Sequence, residues 1–144
     1  MKKNISRSNR KAFTLVELLV VILIISLIAT VMAPRIFSGL GKAKRDIARA
    51  KITTIENAIA QFQITCDRLP DDSVNLQELL VQPEDLEGKW TKPFLKESEI
   101  LDPWGNEYIY IAEGELNPGS FDIISYGADG EPGGEGDNED IYND

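Results

Sequence analysis

The hydrophobic pattern of this chain changes period after its first quarter. From Phe13 to Pro34 the sequence reads FTLVELLVVILIISLIATVMAP, an apolar run whose one charge is Glu17. At about 1.5 Å per residue, such a run is long enough to cross a hydrocarbon core as a helix. Past Pro34 the run becomes a stripe. Ala48, Ile52, Ile55, Ile59 and Phe62 recur at steps of four and three, with Lys44, Arg49, Lys51 and Glu56 between them. That spacing stacks the apolar side chains on one helical face and predicts core packing, not a cofactor box. A helix from about Thr14 to Cys66 would be about 80 Å long, more than a small globule needs, so half of it is expected to protrude.

Arg68-Leu69-Pro70-Asp71-Asp72 should end this helix, because proline disfavours helix in the residue before it and Asp clusters favour turns and caps. Ser73 is expected to cap a short helix through Leu80. Residues 83–100, with Gly88, Pro93 and the polar run Lys96-Glu97-Ser98-Glu99, read as a surface loop resting on Trp90 and Phe94. Two β-rich runs follow, Tyr108–Ile111 and Phe121–Ser125, separated by Gly114, Asn117, Pro118 and Gly119. They predict an antiparallel pair joined by a long turn. The expected fold class is α+β, a long N-terminal helix packed on a small antiparallel sheet. No internal repeat is visible.

The chain has 144 residues, 42% of them hydrophobic, but the N-terminal run cannot serve a soluble core, so the globular part is small. Residues 1–12 carry Lys2, Lys3, Arg7, Arg10 and Lys11 and no acid; without them the formal net charge moves from −9 to −14. A body that acidic repels nucleic acid, whose phosphates are bound by clustered Lys and Arg, and nucleic-acid binding is set aside. Cys66 is the single cysteine and histidine is absent, which excludes an intramolecular disulfide and Cys/His metal clusters. Cys66 is expected to be a small, half-buried residue.

A cleaved secretory signal is one reading of the N-terminus, since Val31-Met32-Ala33 has suitably small residues, but Pro34 would block that cut and the apolar run is overlong. A plain single-span anchor with its cations held in the cytoplasm explains everything except Glu17. A carboxylate inside such a span costs about 2.5–3.5 kcal/mol on insertion scales and usually persists because it has a partner. Lys11-Ala12-Phe13-Thr14-Leu15-Val16-Glu17 resembles the type III signal of prepilins and pseudopilins, with Ala12 where that family usually has Gly. The resemblance implies cleavage by a prepilin peptidase between Ala12 and Phe13, N-methylation of Phe13, and pairing of Glu17 with the terminal amine of a neighbouring subunit. It also implies a helix-breaking role for Pro34, where proline removes a backbone hydrogen bond and crowds the preceding turn.

Asp102-Pro103-Trp104-Gly105-Asn106-Glu107-Tyr108 combines turn formers with a large aromatic, so its residues read as structural: Asp102 and Asn106 bond turn backbone and Trp104 is buried. From Ser125 to Asp144 glycines alternate with seven acids. By composition this is a solvated acidic tail. By chemistry it could be a calcium loop, in which glycines let carboxylates and carbonyls turn inward. An EF-hand is rejected: counted from Asp129, the fifth position is Gly133, and no helices flank the loop. Both stretches are similar to the D-P-W-G-N-x-Y and S-x-G-x-D-G signatures of major pseudopilins of type II secretion systems. That resemblance implies calcium held by Asp129, Asp137 and Asp140 with the backbone carbonyl of Tyr126. Asp137 is preferred over Glu135 and Asn138 as the middle ligand.

The resemblance divides the chain into a basic leader (1–12), a membrane and polymerisation helix (13–34) and a periplasmic head (35–144). It implies a non-enzymatic subunit, single-pass in the bacterial inner membrane, that assembles with its own copies into a helical periplasmic pseudopilus. Minor pseudopilins and the inner-membrane assembly platform are the further partners, and export of folded proteins is the outcome. A type IV or competence-type pilin is the alternative within this class. A membrane-anchored enzyme or ligand-binding module is the other class, against which stand the absence of histidine and of a nucleophile–base pair.

Overall fold

The computed structural model describes residues 13–143, leaving aside the side chains of 33–38. The chain divides between Ser38 and Gly39 into two units. Helix α1, Leu15–Cys66, carries the helical backbone from one into the other and runs through position 34 without interruption.

In the N-terminal unit, Leu15–Met32 has a mean hydropathy of 2.9 and none of it is buried by the protein, which makes it apolar and long enough to cross a membrane. Its hydroxyls are satisfied within the helix: Ser26 donates to the carbonyl of Ile22 and Thr30 to that of Ser26, both at 2.8 Å. Hydrocarbon demands such internal pairing.

In the C-terminal unit, α1 buries the expected stripe: Ala48, Ile52, Ile55, Ile59 and Phe62 are at most 2% exposed. Cys66, at 3%, closes it. The helix ends as Asp67 turns left-handed (φ 60°) and its N–H reaches the carbonyl of Gln63 at 2.9 Å. Arg68 then fixes the exit, forking onto Glu78 at 2.7 and 3.0 Å.

The next segment corrects one expectation. Asp71, not Ser73, is the cap; its carboxylate accepts from the N–H of Ser73 at 2.9 Å, and the helix that follows, Asp72–Leu79, is of 3-10 type. It is interrupted at Asn75 (φ 53°, ψ −133°). Asn75 spans the edge of the sheet there, donating to the carbonyl of Tyr108 and accepting from the N–H of Tyr110, both at 2.9 Å. Leu76 and Leu79 remain fully buried. Residues 83–100 contain two further short 3-10 turns, and their aromatics seat on α1: Phe94 lies edge-on to Phe62 at 5.5 Å and to Trp90 at 6.0 Å.

The sheet is antiparallel with order β1-β2-β3. Strand β1 is Ile109–Ile111 and β2 is Asp122–Ser125, paired Ile109 with Ile124 and Ile111 with Asp122. Each begins one residue later than the pattern suggested. Tyr108 gives its N–H to Ile100 instead (3.0 Å), and its hydroxyl reaches the carbonyl of Ala48 on α1 at 3.1 Å. Strand β3, Ile141–Tyr142, pairs with β2 and was not expected, since two residues in an acidic tail carry no alternation. The fold is thus α+β.

Phe62 is fully buried in this core and faces Phe94 edge-on. Phe62→Ala should lower the unfolding free energy by about 3–5 kcal/mol, read from urea denaturation; a loss below about 1 kcal/mol would show that the loop collapses into the space.

Candidate assembly surface and ion-binding loop

At the start of α1, Phe13 is 77% exposed and Glu17 is exposed within the apolar stretch. Thr14 caps the helix, its hydroxyl accepting from the N–H of Glu17 at 3.2 Å. A carboxylate in this first turn is favoured by the helix dipole, yet its charge still sits among apolar side chains. Ala12, the other half of the expected cut, lies outside the described residues.

The Asp102 turn is built as a carboxylate clamp. Asp102 Oδ1 accepts from the N–H groups of Trp104, Gly105 and Asn106 at 2.8–2.9 Å. Its Oδ2 accepts from the buried hydroxyl of Ser125 at 2.7 Å. Trp104 is partly buried, with the Lys44 ammonium 5.8 Å from its ring centroid. The Asn106 side chain reaches outside its own turn: it donates to the carbonyl of Gly127 at 2.8 Å, tying the turn to the start of the acidic loop.

In that loop, Tyr126 follows β2 directly and is half-buried. Glycine is obligatory at two points. Gly127 and Gly134 have positive φ, and a Cβ there would come within 2.7 Å of Asp137 O and 2.6 Å of Asn138 O. Asp129 Oδ1 accepts from the N–H of Glu131 at 3.2 Å. Asp140 Oδ2 accepts from the N–H of Gly133 and the hydroxyl of Tyr142, both at 2.9 Å. Asp140 Oδ1 is buried with no hydrogen-bond partner. The carboxylate of Asp137 instead lies against Gly41 of α1. Among the described residues no three acidic side chains are grouped closely enough to hold a metal as they stand. The orphaned oxygen of Asp140 is what a cation would satisfy, and an all-oxygen donor set suits a hard ion.

A family model described as "Type II secretion system (T2SS), protein G" matches residues 35–144. The chain belongs to that protein G family. A second model, for the prokaryotic N-terminal methylation motif, matches residues 7–33. Among relatives of the protein G family, the type II secretion system core protein G of Xanthomonas campestris is 34% identical, over 98% of this chain and 97% of its own. Those of Pseudomonas aeruginosa and Vibrio cholerae are 32% and 33% identical over 95% and 91% of this chain and 96% and 89% of theirs. The fold is similar to the major pseudopilin from the type 2 secretion system of enterohaemorrhagic Escherichia coli. The TM-score is 0.59 at 24% identity, over 74% of this chain and 91% of that one.

Sequence reasoning missed two contributors within this protein G head. One is Arg45, which donates to the carbonyl of Gly136 and stands 3.8 Å from Glu139. No spacing rule joins residues so far apart in the chain. The other is Asp122, 1% exposed, which gathers the β1–β2 loop: it accepts from the N–H groups of Glu115, Leu116 and Asn117 and from the Asn117 amide, at 2.7–3.1 Å. Burial pushes its pKa up, but the bonds from Leu116, Asn117 and Glu115 together outweigh that, and the net shift is downward.

A carboxyl held below its unfolded value stabilises the fold fully above the ordinary Asp range, about pH 4, and loses that contribution as pH falls through it. Asp122→Asn should therefore be less stable than the parent at neutral pH. The gap in urea midpoints should shrink on acidification below about pH 4. A gap that does not change with pH would rule out the ionised carboxylate as the stabilising form.

Proposed function

We propose that this chain is the polymerising subunit of a periplasmic pseudopilus in a type II secretion system and acts by assembly, not catalysis. The observation that carries the reading is Glu17, a carboxylate inside an exposed apolar helix and within the stretch, residues 7–33, that matches the N-terminal methylation motif. A prepilin peptidase cuts between Ala12 and Phe13, and N-methylation of Phe13 leaves a cationic amine there. In the filament that amine of one copy neutralises Glu17 of the next, which removes the cost of an unpaired carboxylate among apolar side chains. Before assembly, residues 13–34 hold the subunit in the inner membrane with its head in the periplasm. Pro34 marks the part of the helix that yields as the subunit leaves the bilayer, since a proline there removes one helical hydrogen bond. The assembly platform and the minor pseudopilins are the partners of that step, and the growing filament moves folded proteins outward.

Glu17→Ala should leave precursor cleavage intact while abolishing filament assembly and secretion, seen by shear-fraction microscopy and by assay of exported protein. Normal filaments from this variant would remove the charge-pairing argument.

The acidic loop is proposed to bind calcium through the carboxylates of Asp129 and Asp140 and the carbonyl of Tyr126. Asp137, the expected middle ligand, has its carboxylate at Gly41 and is taken up below. When bound, the ion supplies positive charge that lets these oxygens converge, so binding energy becomes folding energy. At about a hundred times the dissociation constant this is about 2.7 kcal/mol. Thermal unfolding of the detergent-solubilised chain should then move up by about 10 °C between chelator and calcium. Coincident transitions in the two conditions would discard the calcium reading and leave a solvated acidic loop.

A further inference from the structure

Three residues of the acidic loop face α1 instead of the loop interior. Gly41 is buried, and a Cβ there would overlap Asp137 Oδ1 and lie 2.6 Å from its Cγ. One turn further, the Arg45 guanidinium donates to the carbonyl of Gly136 and stands 3.8 Å from the Glu139 carboxylate. Arg45 is the cation of α1 that meets the loop, and the loop is rich in acids, so the charges are complementary. The main chain of Asp137 points the other way. Its carbonyl accepts from the N–H of Ala128 at 2.8 Å, next to Asp129, while Asp140, with its orphaned Oδ1, is three residues on.

We propose that Asp137 is a positioning residue that docks the acidic loop on the Gly41–Arg45 turn of α1, so holding Asp129 and Asp140 for the ion without ligating it. The inference rests on the calcium reading but corrects its middle ligand. It gives Gly41 a reason to be glycine, because alanine in a helix interior is intrinsically favoured and only the approaching carboxylate excludes it. It also makes the turn of α1 that follows the apolar span the place where the state of the ion loop is felt.

The test uses the full chain in detergent micelles, with hydrogen exchange read over residues 39–47 and 127–139 in calcium and in chelator, and calcium titrated by calorimetry. Gly41→Ala should speed exchange of the loop in chelator by about tenfold and weaken calcium by about tenfold, the scale of outer-layer support for a metal site. Asp137→Ala placed in the Gly41→Ala chain removes the overlap, and exchange over 39–47 should return to that of Asp137→Ala alone. Asp137→Asn keeps the shape of the docked side chain and should bind calcium within about tenfold of the parent. Loop exchange in Gly41→Ala equal to the parent's overturns the docking. Loss of detectable calcium binding in Asp137→Asn overturns the positioning role and makes Asp137 a ligand. Should the parent itself show no heat of calcium binding, the calcium reading fails, while exchange in chelator still decides whether the loop docks.

Discussion

One stripe of α1 fastens everything in the head. Ala48, Ile52, Ile55, Ile59 and Phe62 recur on a single helical face, and Leu76, Leu95, Tyr110, Ile123 and Ile141 join them in one buried cluster. At its near end the hydroxyl of Tyr108 meets the carbonyl of Ala48 and ties the sheet to the helix. At its far end Phe62 receives Phe94, whose own backbone N–H is held by the carbonyl of Leu79 at 2.8 Å. A single helix thus carries two apolar patterns. Its first part presents apolar side chains on all sides with its hydroxyls bonded internally, and its last part buries one apolar face while Ile47 and Ile64 stay exposed.

Features that depend on periodicity were readable in advance. The span, the stripe and its end before Pro70 follow from the apolar pattern and from proline. The Asp102 turn was legible as turn chemistry, and its carboxylate accepts the three N–H groups that such a turn leaves open. What was hidden depends on partners distant in the chain. Asn75 looks like a residue within a short helix, but Tyr108 and Tyr110 offer its amide a carbonyl and an N–H in strand-like spacing, and that exchange breaks the helix. Strand β3 is too short to show a period and exists because β2 presents an edge to it. Arg45 and Gly41 read as an ordinary helical cation and a flexible residue until the acidic loop lies against them.

The carboxylates of the chain can be sorted by who satisfies them, and the sorting separates architecture from function. Asp102 and Asp122 are each buried with four donors in place, three of them backbone N–H groups, so these acids are complete within the fold and act as clamps. Glu78 is likewise complete, facing the fork of Arg68. Asp140 differs because one oxygen has two donors and the other, buried, has none. Glu17 differs in another way, standing in an apolar helix that hydrocarbon would surround. The fold pairs its buried acids within itself, whereas Asp140 Oδ1 has no donor and a charged Glu17 would carry a desolvation penalty in hydrocarbon. Both call for positive charge from outside the subunit, the proposed ion for Asp140 and the proposed amine of a neighbouring copy for Glu17. The two demands fall at opposite ends of the sequence: Glu17 is in the first turn of α1, and Asp140 is in a loop whose Gly136 and Asp137 lie against Arg45 and Gly41.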